Sequence, residues 1–174
     1  INTVDVVIMV IGSSKSSDGL IQNKIGSESD IILMKFGSDK SIEWVKNYGG
    51  SKDDRGQSVV EVFGIGYAIL GYSMSNDGDA SNNEGFHDNW VILIDSKGNI
   101  VWEKSYGFSG HDHAYNIIRT KDGNLFFNGF LDVTASRGFG SSGKEVKSIK
   151  HGVGEFWCHK IDLEGNILWR KYFG

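Results

Sequence analysis

Three groups of side chains in this sequence could do chemistry. In Asn76–Glu84, the residues Asp77, Asp79, Ser81 and Asn83 stand at alternating positions, a spacing that suits oxygen ligation of Ca²⁺. The glycine placement and Glu84 do not match an EF-hand loop, so a solvated polar turn stands beside the calcium reading. His111-Asp-His113 offers two imidazoles flanking a carboxylate, with His87 and His151 on loops expected on the same face. A transition-metal site needs three or four convergent ligands, and the spacing by itself does not supply convergence. In the third group Arg137, Lys144, Lys147 and Lys150 outnumber Asp132 and Glu145, a locally basic stretch in a chain of net charge −4. It would suit an acidic partner or simply be solvated. The single cysteine, Cys158, falls where Leu33 and Val91 fall in related segments, so it is expected to be a small buried hydrophobe. There is no Gly-rich phosphate loop, no Gly-x-Ser-x-Gly elbow and no paired-cysteine zinc pattern. No organic cofactor is expected.

The elements that must position these groups are strands. The chain is 39% apolar and 12% aromatic, with 24 glycines and no proline. Dense Trp, Tyr, Phe, Val and Ile separated by glycine imply short strands and tight turns, and no segment sustains apolar residues at helical spacing. The mixture of charges gives no electrostatic case for binding nucleic acid. No run approaches the roughly 18 apolar residues of a membrane-spanning helix.

The sequence repeats. Asp30–Gly49, Asp88–Gly107 and Glu155–Gly174 align without gaps. Each carries an acidic first residue, then Ile42, Ile100 or Ile167, Trp44, Trp102 or Trp169, and Lys46, Lys104 or Lys171. Tyr48, Tyr106 or Phe173 and a glycine close the segment. Gly12, Gly71 and Gly129 each end an apolar run, at spacings of 59 and 58 residues. A unit of about 58 residues then holds four strands, as a β-propeller blade does. In the central unit these are strand a, 89–95; b, 100–106; c, 114–120; and d, 125–130. Residues that recur are expected to hold the units together. The lysine stems should cover the flanking rings, and Asp54 and Asp112 should fix turns or pair with lysine.

The pattern Asp-x-Trp-Val-x-x-x-Asp-x-x-Gly-Asn-Ile-x-Trp-x-Lys-x-Tyr-Gly, followed by Asp112-His-Ala-Tyr and Asp122-Gly, resembles a repeat of secreted and surface-anchored proteins of Gram-negative bacteria. Ser75-Asn-Asp-Gly-Asp is similar to that family as well. The first unit departs from it, with Phe36-Gly-Ser-Asp at the turn and Ile32 in the place of Trp90. The expected fold is therefore all-β, with about three four-stranded antiparallel blades in a single repeat domain. The expected divisions are a partial blade 1–29, blades 30–87 and 88–154, and a partial blade 155–174. Three blades are fewer than a closed ring needs, so the natural protein is expected to continue or to complete a ring by association.

Strand parity sends the b–c and d–a connections to one face. The variable connections Gly12–Asp30, Tyr72–Asp88 and Leu131–Gly154 emerge there, the arrangement of a binding surface on a rigid scaffold. Asp77, Asp79, His87, His111, His113, Arg137, Lys144, Lys147 and Lys150 are the candidate partner contacts. The expected function is a non-enzymatic binding or scaffold protein of the bacterial exterior, holding a protein, peptide or glycan. The resemblance implies a lipoprotein or an accessory subunit of an outer-membrane transport complex. A carbohydrate-active enzyme is the alternative, its carboxylates about 5–9 Å apart on the loop face. A structural spacer in a long surface protein is a further one.

Overall fold

The computed structural model describes residues 7–22, 24–108, 110–132 and 153–173. Those residues form eleven strands and no helix. The first sheet holds β1 (Ile8–Ser14), β2 (Asp30–Phe36) and β3 (Ile42–Tyr48). The second holds β4 (Asp54–Val62), β5 (Gly66–Ser73), β6 (Asp88–Asp95) and β7 (Ile100–Tyr106). The third holds β8 (His113–Arg119), β9 (Leu125–Asp132), β10 (Val153–Ile161) and β11 (Ile167–Phe173). Every sheet is an antiparallel meander in chain order. The all-β expectation holds, and the four strands read for the central unit lie within two residues of their observed ends.

The sheets are cut in a different phase from the expected blades. Strands β4 to β7 share one sheet, so the division falls at the b–c connection and not at residues 87 and 154. The cause is local. The Gly50 N–H donates to Asp54 Oδ2 over 2.8 Å, and the Phe108 N–H donates to Asp112 Oδ2 in the same way. Each aspartate folds the chain sharply after strand b and carries it to the next sheet. The long loop after β5, in contrast, returns the chain to β5's own side, and β5 pairs with β6 from Gly66↔Asp95 to Ser73↔Asp88.

The second sheet is sandwiched, which explains why β5 and β6 are apolar at nearly every position. Successive side chains point to opposite faces. Tyr67, Ile69, Trp90, Ile92 and Ile94 pack on Ile31, Leu33 and Tyr48 of the first sheet. Ala68, Leu70, Val91 and Leu93 pack on Ala114, Ile117, Leu125 and Phe127 of the third. Neither face is left for water.

Strand b of one sheet grips the a–b turn of the next. Tyr48 Oη donates to the Gly98 carbonyl at 2.9 Å, and Tyr106 Oη to the Gly165 carbonyl at 2.7 Å. Trp102 Nε1 donates to the Leu163 carbonyl, and Lys104 Nζ to the Glu164 carbonyl, both at 2.8 Å. Lys104 also lies 5.8 Å from the Trp102 ring centre, and Lys171 lies 6.0 Å from that of Trp169. The lysine column thus works on rings and on turn carbonyls. Trp44 and Trp102 are partly buried against the next sheet, while Trp169 is 41% exposed. Trp169 stands on the face of the third sheet turned away from the second.

The gripped turns have a shared chemistry. Asp95 Oδ1 accepts the N–H groups of Lys97 and Asn99, and Asp162 Oδ1 accepts those of Glu164 and Asn166. Gly98 and Gly165 take φ of 81° and 79°. In the first sheet Lys40 occupies that column with φ 66°, a conformation that costs a non-glycine residue about 1–2 kcal/mol. This is where the departure of Phe36-Gly-Ser-Asp from the repeat is felt. No helix among the described residues is long and apolar enough to cross a membrane.

Candidate functional site

The connections expected to share a face do meet. Ser51 N–H donates to Asp77 Oδ1 at 2.7 Å, Lys52 N–H to Ser75 Oγ at 3.0 Å and Met74 N–H to the Asp53 carbonyl at 3.0 Å. One connection further on, Phe86 N–H donates to the Gly110 carbonyl and Asp112 N–H to the His87 carbonyl. Each b–c connection therefore lies beside a d–a loop.

Asp77 and Asp79 turn out to be ties between two connections. Asp77 holds the Ser51 N–H, and that bond keeps its carboxyl below the usual range. Asp79 Oδ2 accepts the Gly49 N–H at 3.2 Å, while burial pushes its carboxyl up against that bond. Ser81 Oγ donates to Glu103, and Asn83 Nδ2 donates to the Ser73 carbonyl. Gly78 has φ 66°, and a Cβ there would lie 2.5 Å from the Gly49 carbonyl oxygen, so the loop is pressed onto the connection. The four side chains of the calcium reading are each hydrogen-bonded to a partner outside the loop.

The imidazoles behave otherwise. His87 ends the loop before β6, His111 lies in the connection after β7, and His113 begins β8. A parallel bridge joins His87 to His111. Extended backbone through 111–113 puts His111 and His113 on one side, while Asp112 turns inward to the Phe108 N–H. One ring nitrogen from each histidine lies within 4.8 Å of the others. His87 Nδ1 is 3.0 Å from His111 Nδ1. Among the described residues this is the one group of three or more His, Cys, Asp or Glu so gathered.

Rings fix these imidazoles in place. Tyr72 stacks on His113 at 4.4 Å between centroids and 12° between planes, and meets His87 edge-on at 5.1 Å. Phe86 stacks on His111 at 4.8 Å. Burial lowers the His87 imidazole to about 4, with His113 and His111 adding to the effect. Burial, then His111, lowers His113 as well. Both shifts favour the neutral ring, the form whose lone pair a ligand needs. The Nε2 atoms of His87 and His113 are buried without a hydrogen-bond partner. Asp53 Oδ2 approaches His87 Nε2 at 3.6 Å, just outside hydrogen-bond reach. Burial raises Asp53, but Arg55 at 2.8 Å and His87 outweigh it and hold the carboxyl below its ordinary value.

Arg137, Lys144, Lys147, Lys150 and His151 lie outside the described residues, as does most of the stretch 131–154. Cys158 is buried on β10, and burial raises its thiol, in keeping with a packing residue. His159 beside it is fully buried and stacked on Phe127, away from the three clustered histidines.

These features define an all-β protein of antiparallel sheets, with three histidines gathered where its connections meet. No protein-family model matches the chain, and no curated protein matches it either.

Proposed function

We propose that this chain is a non-enzymatic binding or scaffold protein of the bacterial exterior, its sheets acting as β-propeller blades. The observation that carries the reading is the gathering of the b–c and d–a connections on one face. That face bears Phe86 at 51% exposure, Tyr115 at 51% and the exposed His111. Rigid strands with ligand-facing loops are the usual arrangement of a binding scaffold. The blade reading is supported by Trp169. Its counterpart Trp102 is covered by the third sheet, so Trp169 occupies the surface on which a further blade would sit. A place outside the cell is supported by the resemblance of the Trp-x-Lys-x-Tyr-Gly segments to surface-protein repeats. Binding is favoured over acid catalysis because Asp77 and Asp79 are engaged with the backbone N–H groups of Ser51 and Gly49.

Glycan and peptide arrays test this with three forms of the tag-free chain. These are the native form, Phe86→Ser/His111→Ala/Tyr115→Ser on the loop face, and Lys97→Ala/Lys121→Ala on the opposite turns. The native and turn forms should share their hits, and the loop-face form should lose them by at least about tenfold, the usual consequence of truncating aromatic anchors. An absence of native hits, hits that survive the loop-face changes, or turnover of an arrayed glycan would each overturn the reading.

A further inference from the structure

We propose that His87, His111 and His113 form a three-imidazole site for one divalent zinc-class ion, with a fourth position left to water or a partner's donor. The inference does not depend on which partner the loop face holds.

Three observations point to it. Nitrogens about 2.0–2.1 Å from a tetrahedral ion lie about 3.3–3.4 Å apart. His87 Nδ1 and His111 Nδ1 are 3.0 Å apart, and one ring nitrogen from each of the three histidines lies within 4.8 Å of the others. Small ring movements would bring all three to one ion.

The surroundings match what a metal-bound imidazole needs. A ligating histidine usually offers its second ring N–H to a carboxylate, which orients the ring and raises its basicity. If Nδ1 of His87 is the ligand, Nε2 carries that proton, and Asp53 Oδ2 is 3.6 Å from it. Tyr72 and Phe86 stack on the other two rings and hold them in place. The exposed His111 leaves a side open for entry.

The protein's own internal comparison excludes a purely architectural demand for these histidines. The Asp54 N–H donates to the Ser29 carbonyl at 2.7 Å, and the Asp112 N–H donates to the His87 carbonyl at 2.6 Å. The two crossovers are thus equivalent and stand 58 residues apart. At the first, Ser29, Asp53 and Arg55 occupy the places of His87, His111 and His113. There an Asp53–Arg55 ion pair suffices to fold the crossover. Imidazoles at all three places add nothing the turn requires, and leave two buried nitrogens without hydrogen bonds. An all-imidazole set suits Zn²⁺, and Cu²⁺ or Ni²⁺ less selectively.

Titration of the tag-free chain with Zn²⁺, against a chromophoric chelator, should give one bound ion per chain and a raised thermal midpoint. Co²⁺ in its place should give the visible bands of a tetrahedral nitrogen site, with no thiolate charge-transfer band from Cys158. His111→Ala, at an exposed position, should fold normally and weaken Zn²⁺ by at least about a hundredfold, and His113→Phe should do the same while keeping the stack on Tyr72. Asp53→Asn should weaken it by about 10–100-fold. A folded native chain that binds no Zn²⁺, or binding that survives His111→Ala, would overturn the site. Unchanged affinity in Asp53→Asn would overturn the role given to the carboxylate.

Discussion

Replacing Trp90 by alanine is expected to cost about 3–5 kcal/mol of folding stability, the range for deleting a fully buried large ring. Trp90 is wholly buried between the first and second sheets, against Ile31, Leu33, Ile69 and Ile92. Two stiff sheets cannot close over the void, so both the transfer free energy and the cavity term are lost. Its Nε1 also donates to Glu103 Oε2 at 2.6 Å, and that acceptor would lose its donor. Trp90→Phe keeps one ring but removes the N–H and the rest of the indole, so it should cost less than the alanine change, about 1–3 kcal/mol. Urea unfolding of the three proteins measures the series. A cost below about 1 kcal/mol for the alanine variant would mean that the first and second sheets do not pack as described.

The second large effect depends on pH. Asp88 is buried where burial pushes its carboxyl up to about 7, against the lowering effect of the Glu84 N–H it accepts. Its counterpart Asp30 has Lys24 Nζ at 3.3 Å to offset burial, and Asn82 stands where that lysine would be. A carboxyl raised on folding contributes stability that is complete below its unfolded value near 4 and is lost as pH rises through about 7. Asp88→Asn removes the titration and can still accept the Glu84 N–H. The stability of the native protein minus that of Asp88→Asn should therefore fall by roughly 4 kcal/mol between pH 4 and pH 8. His87 and His159 pull the other way. Burial lowers them to about 4 and about 3, so the stability they contribute is present above about 6.5 and lost on acidification. Both proteins contain these histidines, so the difference isolates Asp88. A difference that stays flat across this range would show Asp88 to be solvated.

The part of the fold that repeats was open to reading from the residues alone. Trp102, Lys104 and Tyr106 grip the following turn at Leu163, Glu164 and Gly165, Tyr48 grips Gly98 as Tyr106 grips Gly165, and a contact repeated between sheets leaves a column in the sequence. The phase was not readable. A period of about 58 residues says where a unit recurs but not where the chain leaves one sheet for the next. The cue lay in Asp54 and Asp112, each four residues after the N–H it holds, and only the observed bonds distinguish a crossover tie from a lysine partner.

The candidate site shows the same division. His111 and His113 were visible as a pair by alternation, but His87 is 24 residues away and joins them only through a parallel bridge between two connections. The signal that could have found it was positional. His87 precedes Asp88 as Ser29 precedes Asp30, and the residue in that column always meets the aspartate that opens the next sheet. Asp77 and Asp79 show how one pattern admits two uses. Carboxylates at alternating positions fit an ion and also fit backbone N–H groups, and the neighbouring connection supplied the latter.

A ligand taken on the loop face, as proposed, should perturb that face and leave the opposite turns alone. The amide nitrogen–proton correlation spectrum of the isotope-labelled chain, followed during a Zn²⁺ titration, reads this most directly. With Zn²⁺ held by the three histidines, shifts are expected only at residues 49–55, 72–75, 86–88 and 110–115, saturating at one equivalent, with the turns at 96–99, 121–124 and 163–166 unmoved. Shifts centred on those turns, or a spectrum that does not respond to Zn²⁺ at all, would contradict it.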